Sequence, residues 1–175
     1  MYIKDEAADE VLAKNDKIQD VVRGKTIMLV LPGHGAYLLA NLGLTFAWMG
    51  GGLGAYGIAG NTQAALPYCM LASLLGVTMM SILVYRVLRG KPAARRHMYI
   101  YTLGVAWLSA MVALVALVRW ERPSLIVASV GLLASLLASR SVAGANYAAL
   151  AAFFRAKRAY GETVREEIER VRRGA

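Results

Sequence analysis

The sequence has a single cysteine, Cys69, and no acidic residue inside its long apolar segments. One cysteine excludes an intramolecular disulfide and a metal site built from several cysteines. Cation-coupled transporters and proton channels usually place a carboxylate near the middle of the membrane, and Glu121, between the last two apolar segments, does not meet that need. The lack of intramembrane acids therefore disfavours that class of function.

The sequence also lacks the motifs of common enzymes. It contains no H-E-x-x-H, G-x-S-x-G or P-loop pattern, and no cluster of His, Cys, Asp and Glu at metal-ligand spacing. Gly52, Gly54 and Gly57 match G-x-G-x-x-G, but that pattern indicates a dinucleotide site only between a strand and a helix. We therefore expect no catalytic residue, no cofactor and no metal, and do not expect an enzyme.

Apolar residues make up 58% of the 175 residues and are collected in four long blocks, with charge confined to the segments between and beyond them. A membrane-spanning helix needs about 20 apolar residues. The blocks predict an all-α polytopic membrane protein with four transmembrane helices. The bundle comprises residues 26–154, and its spans are approximately 26–49, 66–88, 98–118 and 123–143, the last with a helical extension to 154.

Lysine and arginine are distributed unequally between the two sides of these spans. The N-terminal segment carries five, the loop region after the second span carries five if Arg86 at the end of that span is counted, and the C-terminal segment carries seven, whereas the other side has only Arg119 and Arg122. Cytoplasmic segments are enriched in Lys and Arg, so both termini are predicted to be cytoplasmic. The membrane is taken to be a bacterial inner membrane. This distribution accounts for the net charge of +9, and nucleic acid is not an expected partner.

The two end segments, 1–25 and 155–175, are predicted to be amphipathic cytoplasmic helices. Residues 5–23 have apolar positions at helical spacing, and six acids among the first twenty residues make a cleavable secretory signal unexpected. The C-terminal helix is basic and should contact anionic lipid or a helical partner, with the N-terminal helix as one option. Its candidate contact residues are Arg155, Lys157, Arg158, Arg165 and Arg170.

Two ionisable residues fall inside the predicted spans, and with Asn146 they form a candidate intramembrane polar site. Arg140 lies near the inner end of the fourth span, where it either snorkels to the headgroups or contacts an anion at the mouth of a cavity. His34 follows Pro32, which predicts a kink near Leu31, and it is expected to make an interhelical hydrogen bond or to contact a ligand. The glycine-rich residues 49–65 are predicted to form an external loop, which either stays outside or dips back into the interface. Gly50 and Gly54 form a G-x-x-x-G pair, which fits close helix contact if the first helix extends that far.

Small residues repeat along the fourth span and its extension, which predicts close packing against a neighbouring helix or another subunit. The candidate interface consists of Gly131, Ser135, Ser139, Ala143, Gly144 and Ala148.

These features support two hypotheses for the function. The first is a non-enzymatic membrane protein that binds another membrane or cytoplasmic protein, as a subunit of an envelope or secretion assembly or as an immunity protein against a membrane-active toxin. The second is a small oligomeric transporter or channel, with Arg140 and His34 lining its path.

Overall fold

The structure, a computed structural model, describes residues 33–60, 63–91 and 93–174, together with Asp20 and Arg23. Helices are the regular secondary structure of the described residues, which confirms the all-α class. Its five helices are α1 (His34–Ile58), α2 (Ala65–Leu88), α3 (Ala94–Val118), α4 (Arg122–Ala143) and α5 (Ala145–Gly174). The predicted N-terminal helix and the kink near Leu31 lie outside the described residues.

Helices α1 to α4 are each long and apolar enough to cross a membrane. At a rise of 1.5 Å per residue, their 22–25 residues cover about 33–38 Å, slightly more than the hydrocarbon core of a bilayer. Their outer faces carry large apolar side chains such as Leu39, Leu74 and Leu137, which are 62–66% exposed. Lipid is the medium that such faces suit, so the four helices are compatible with an integral membrane protein.

The first apolar helix ends later than the sequence predicts. Helix α1 continues through the glycine-rich segment to Ile58, so the prediction of a loop beginning at residue 49 is wrong for residues 49–58. A Cβ atom on Gly50 would lie 2.8 Å from the Val127 carbonyl oxygen, and one on Gly54 would lie 3.2 Å from the Ala128 Cβ atom. These glycines allow two helices to pack closely and do not end the helix.

Helices α1 and α4 form the centre of the bundle and run antiparallel. Gly43, early in α1, packs against Ala138, late in α4, whereas Gly57 at the other end of α1 packs against Ser124. The side chains between them are small, so the two backbones approach closely along the whole contact. Helix α3 packs against both of them, and α2 packs against α1 and α3.

The sequence predicts that the fourth span continues without a break to residue 154 and into the charged C-terminal segment, but the structure divides this stretch into two helices. Helix α4 ends at Ala143, Gly144 is extended (φ −67°, ψ 158°), and α5 begins at Ala145. The Gly144 N–H still donates to the Arg140 carbonyl oxygen at 3.0 Å, which closes the last turn of α4. Helix α5 is therefore a separate element whose direction is set by contacts with α1, α2 and α4.

Candidate functional site

Helix α5 lies across one end of the bundle, which we call the base: the start of α1 and α3, the end of α2 and α4, and residues 145–155 of α5. Gly33 contacts the Asn146 backbone, and Gly90, with a φ of +60°, contacts Phe154 and the Cα atom of Arg155. Eight helical residues separate Asn146 from Phe154, a rise of about 12 Å. The first half of α5 thus reaches from the start of α1 to the loop between α2 and α3.

A buried arginine from α3 holds the junction between α4 and α5. Arg95 is 4% exposed. Its Nε donates to the Val142 carbonyl oxygen at 3.0 Å, and its Nη2 donates to the carbonyl oxygens of Ala143 at 2.7 Å and Gly144 at 3.3 Å. The last carbonyls of a helix lack partners within the helix and carry a partial negative charge. One guanidinium group therefore supplies hydrogen-bond donors to the last carbonyl oxygens of α4 and offsets their partial negative charge.

Sequence reasoning missed Arg95 as an individual residue because it treated the loop after α2 as uniformly exposed and basic. Helix α3 begins at Ala94, which places Arg95 in its first turn and turns it inward, while Arg96 is exposed. A cation in the first turn is unfavourable for its own helix dipole. Here the C-terminal carbonyls of α4 compensate for this unfavourable interaction. The contact joins two helices, so the sequence alone does not reveal it.

Tyr147 is a second buried polar residue at the base, and sequence reasoning missed it as well. Its side chain is 0% exposed, and its hydroxyl has no hydrogen-bond partner within the described part of the chain. Burial raises the pKa of this hydroxyl and Tyr37 raises it further, while Arg95 opposes both effects. The hydroxyl therefore remains protonated at physiological pH, as an unused donor beside the junction.

The three residues of the predicted polar site lie at the base, but on its outside. His34 is the first residue of α1 and is exposed, with its ring 6.4 Å from that of Tyr37. The described part of the first apolar helix thus begins at His34. Asn146 and Arg140 are exposed too, Arg140 in the last turn of α4. In a single chain, none of these side chains faces the interior of the bundle.

The predicted small-residue interface is divided between two helices. Gly131, Ser135 and Ser139 are buried on α4, and Gly131 lies against the backbone of α1. Ala148 is buried on α5, after the break at Gly144. Ala143 is partly buried at the end of α4. These residues pack within the chain.

The predicted cationic contact residues of α5 lie beyond its buried part. Arg155 is partly buried, whereas Lys157, Arg158, Arg165 and Arg170 are exposed. Nε of Arg158 donates to a carboxylate oxygen of Glu162 at 2.7 Å, one turn along the helix.

Two adjoining cavities lie between the helices and hold no charged side chain. A groove of about 490 Å³ separates α1 from α2, and a space of about 260 Å³ lies among α1, α2 and α3. Both are lined by Trp48, Gly52, Cys69 and Ser73. Their walls are largely apolar, so they suit lipid chains or an apolar side chain better than an ion.

A short chain of hydrogen bonds joins α1, α3 and α2 near the middle of the bundle. Nε1 of Trp48 donates to the Tyr101 hydroxyl oxygen at 2.7 Å, and this hydroxyl donates to the Gly76 carbonyl oxygen at 2.5 Å. A side chain at position 76 would occupy the space of the Trp48 ring. The contact thus fixes α2, which otherwise packs loosely, to its two neighbours.

Replacing Tyr101 with phenylalanine should lower the free energy of unfolding by about 1 kcal/mol, the usual size of an interhelical hydrogen bond in membrane proteins. Tyr99→Phe is the matched control, because Tyr99 is also partly buried on α3 and the structure gives its hydroxyl no partner among the described residues. Unfolding in mixed micelles with increasing dodecyl sulfate measures both variants. Equal losses would show that the Trp48–Tyr101 contact contributes nothing specific.

No group of three His, Cys, Asp or Glu residues that could hold a metal ion occurs among the described residues. Comparison of the chain with protein-family models, with curated proteins and with solved structures finds no match. Function must therefore be inferred from the arrangement of the base and of α5.

Proposed function

We propose that the protein is a non-enzymatic integral membrane protein that acts by binding another protein through the second half of α5. The observation behind this proposal is the division of α5 into two parts. Residues 147–153 are buried or partly buried in the base, whereas from residue 157 to residue 173 every side chain is exposed except the partly buried Val164. Among the described residues, the bundle holds the first half of α5 at a defined place and leaves its second half exposed.

The uncovered half of α5 has the pattern of a helix that binds a partner. Tyr160, Val164, Ile168 and Val171 recur at three- and four-residue spacing, and Ile168 and Val171 are 53% and 69% exposed. An amphipathic helix with such a stripe binds in an apolar groove or against another helix. Cations outnumber the four glutamates on this half, which favours an acidic partner. A subunit of an envelope or secretion assembly, or an immunity protein against a membrane-active toxin, would use such a helix.

Removing residues 160–175 should release the partner without preventing membrane insertion, because the packing of α5 against Gly90 ends at Arg155.

Ile168→Ala with Val171→Ala should weaken partner binding at least tenfold, since burial of each side chain contributes about 1.5–3 kcal/mol. Glu169→Ala with Arg173→Ala, a charge-neutral pair on the opposite side of the helix, is the control. Quantitative mass spectrometry of the complex extracted from its native membrane measures the partner retained by each variant.

Unchanged co-purification of a stoichiometric partner with the truncated chain would contradict the proposal. A homo-oligomer with no foreign chain would instead favour the alternative, an oligomeric transporter or channel. Because Arg140 and His34 are exposed in the single chain, a path lined by them would have to lie between copies.

A further inference from the structure

A basic pocket of about 540 Å³ lies where α5 leaves the base. Arg89 and Lys91, which follow α2, form one wall, and three cations of α5 form the other: Lys157, Arg158 and Arg165. The carboxylate of Glu162 lies in the same pocket and is bonded to Arg158. Five cations thus face one acid, and their mutual repulsion makes the pocket attractive to an anion.

The walls of this pocket are held together by backbone packing. Gly90, between Arg89 and Lys91, contacts the Phe154 carbonyl and the Cα atom of Arg155, a contact that needs a glycine. This fixes the loop after α2 against α5 at the point where the pocket begins. The opening itself is provided by Gly161, because a Cβ atom there would have no neighbour within 4 Å.

The floor of the pocket and the adjacent face of α2 are apolar. Leu88 and Phe154 line the pocket together with the cations. Ile82, Tyr85 and Leu88 follow one another at three-residue spacing along α2 and are 51%, 55% and 37% exposed. The Arg89 guanidinium lies 5.1 Å from the centre of the Tyr85 ring, at the end of this apolar row. An apolar track along a candidate transmembrane helix therefore leads directly to a cluster of cations.

We propose that this pocket binds the phosphate-bearing headgroup of an anionic phospholipid, whose acyl chains lie along the exposed face of α2. A phosphate oxygen matches the arginine and lysine donors on both walls, and the chains match the apolar row. A free phosphate would use the cations alone and leave the apolar row without a role. The lipid would tie α5 to the membrane surface at the start of its exposed half, independently of any protein partner.

The test titrates the delipidated full-length chain, in an uncharged detergent, with short-chain phosphatidylglycerol or phosphatidylcholine and counts bound lipid by native mass spectrometry. The variant Lys91→Gln, Lys157→Gln and Arg165→Gln should bind phosphatidylglycerol about 100-fold more weakly, because each cation near a membrane surface contributes about 1 kcal/mol. The control Arg96→Gln, Arg172→Gln and Arg173→Gln removes the same charge outside the pocket and should bind like the wild type.

A second pair of variants separates a pocket from general charge attraction. Gly161→Leu keeps every charge and fills the opening, so it should lose phosphatidylglycerol, whereas Gly161→Ala should retain it. Equal weakening by the two glutamine triples, equal binding of phosphatidylcholine, or undiminished binding by Gly161→Leu would overturn the proposal. Binding of inorganic phosphate without binding of phosphatidylglycerol would also overturn it, in favour of a site for free anions.

Discussion

Replacing Arg95 with methionine is expected to detach α5 from the base and to lower the free energy of unfolding by at least about 3 kcal/mol. Hydrogen bonds to charged groups contribute about 1.5–3 kcal/mol each, and Arg95 donates to three carbonyl oxygens. Methionine fills a similar volume but leaves the carbonyls at the end of α4 without a donor. The loss of stability is measured by unfolding in mixed micelles, and the detachment by the rate of tryptic cleavage within α5 after Arg155, which is partly buried in the base.

Arg96→Met is the control for this prediction, because it removes the same charge from the next, exposed position of α3. Arg95→Lys should be intermediate, since an ammonium group keeps the charge but lacks the planar fork that reaches several carbonyls. If Arg95→Met and Arg96→Met had equal stability and equal cleavage rates, the junction would not depend on the buried guanidinium.

The four apolar helices could be predicted from the sequence because their signal is local. Each is a run of about 20 apolar residues, and no neighbouring element is needed to recognise it. The loop predicted from residue 49 failed because glycine has a low helix propensity when considered alone. In the structure, the unfavourable helix propensity of Gly50 and Gly54 is offset by close packing against α4. This effect depends on the partner helix.

The arrangement of the base could not be predicted, because it depends on the break at Gly144. Without that break, the fourth apolar segment and the basic tail form one helix, and Arg95 has no exposed carbonyls to bind. Arg140 and His34 were predicted to form a polar site because they are ionisable groups within apolar runs. The structure instead buries Arg95, which belongs to the basic segment between the second and third apolar runs. Which cation is buried was thus decided by tertiary contact.

Replacing Gly50 with valine is expected to force α1 and α4 apart and to destabilise the bundle by at least about 3 kcal/mol, the upper end of the usual cost of overpacking. The added Cβ atom would lie 2.8 Å from the Val127 carbonyl oxygen and 3.0 Å from the Cα atom of Gly131. Both neighbours are backbone atoms, so no side chain can rotate away. Gly104→Val is the control, because a Cβ atom at that exposed position of α3 has no neighbour within 4 Å.

The effect of Gly50→Val should also reach the base, because α1 begins there and α4 ends there. Separating them moves the carbonyls of Val142 and Ala143 away from Arg95, which is attached to α3. Tryptic cleavage within α5 should therefore rise in Gly50→Val as it does in Arg95→Met, although position 50 lies far along α1 from its start at His34. Loss of stability with unchanged cleavage would show that the base holds together without the close packing of α1 against α4 at Gly50.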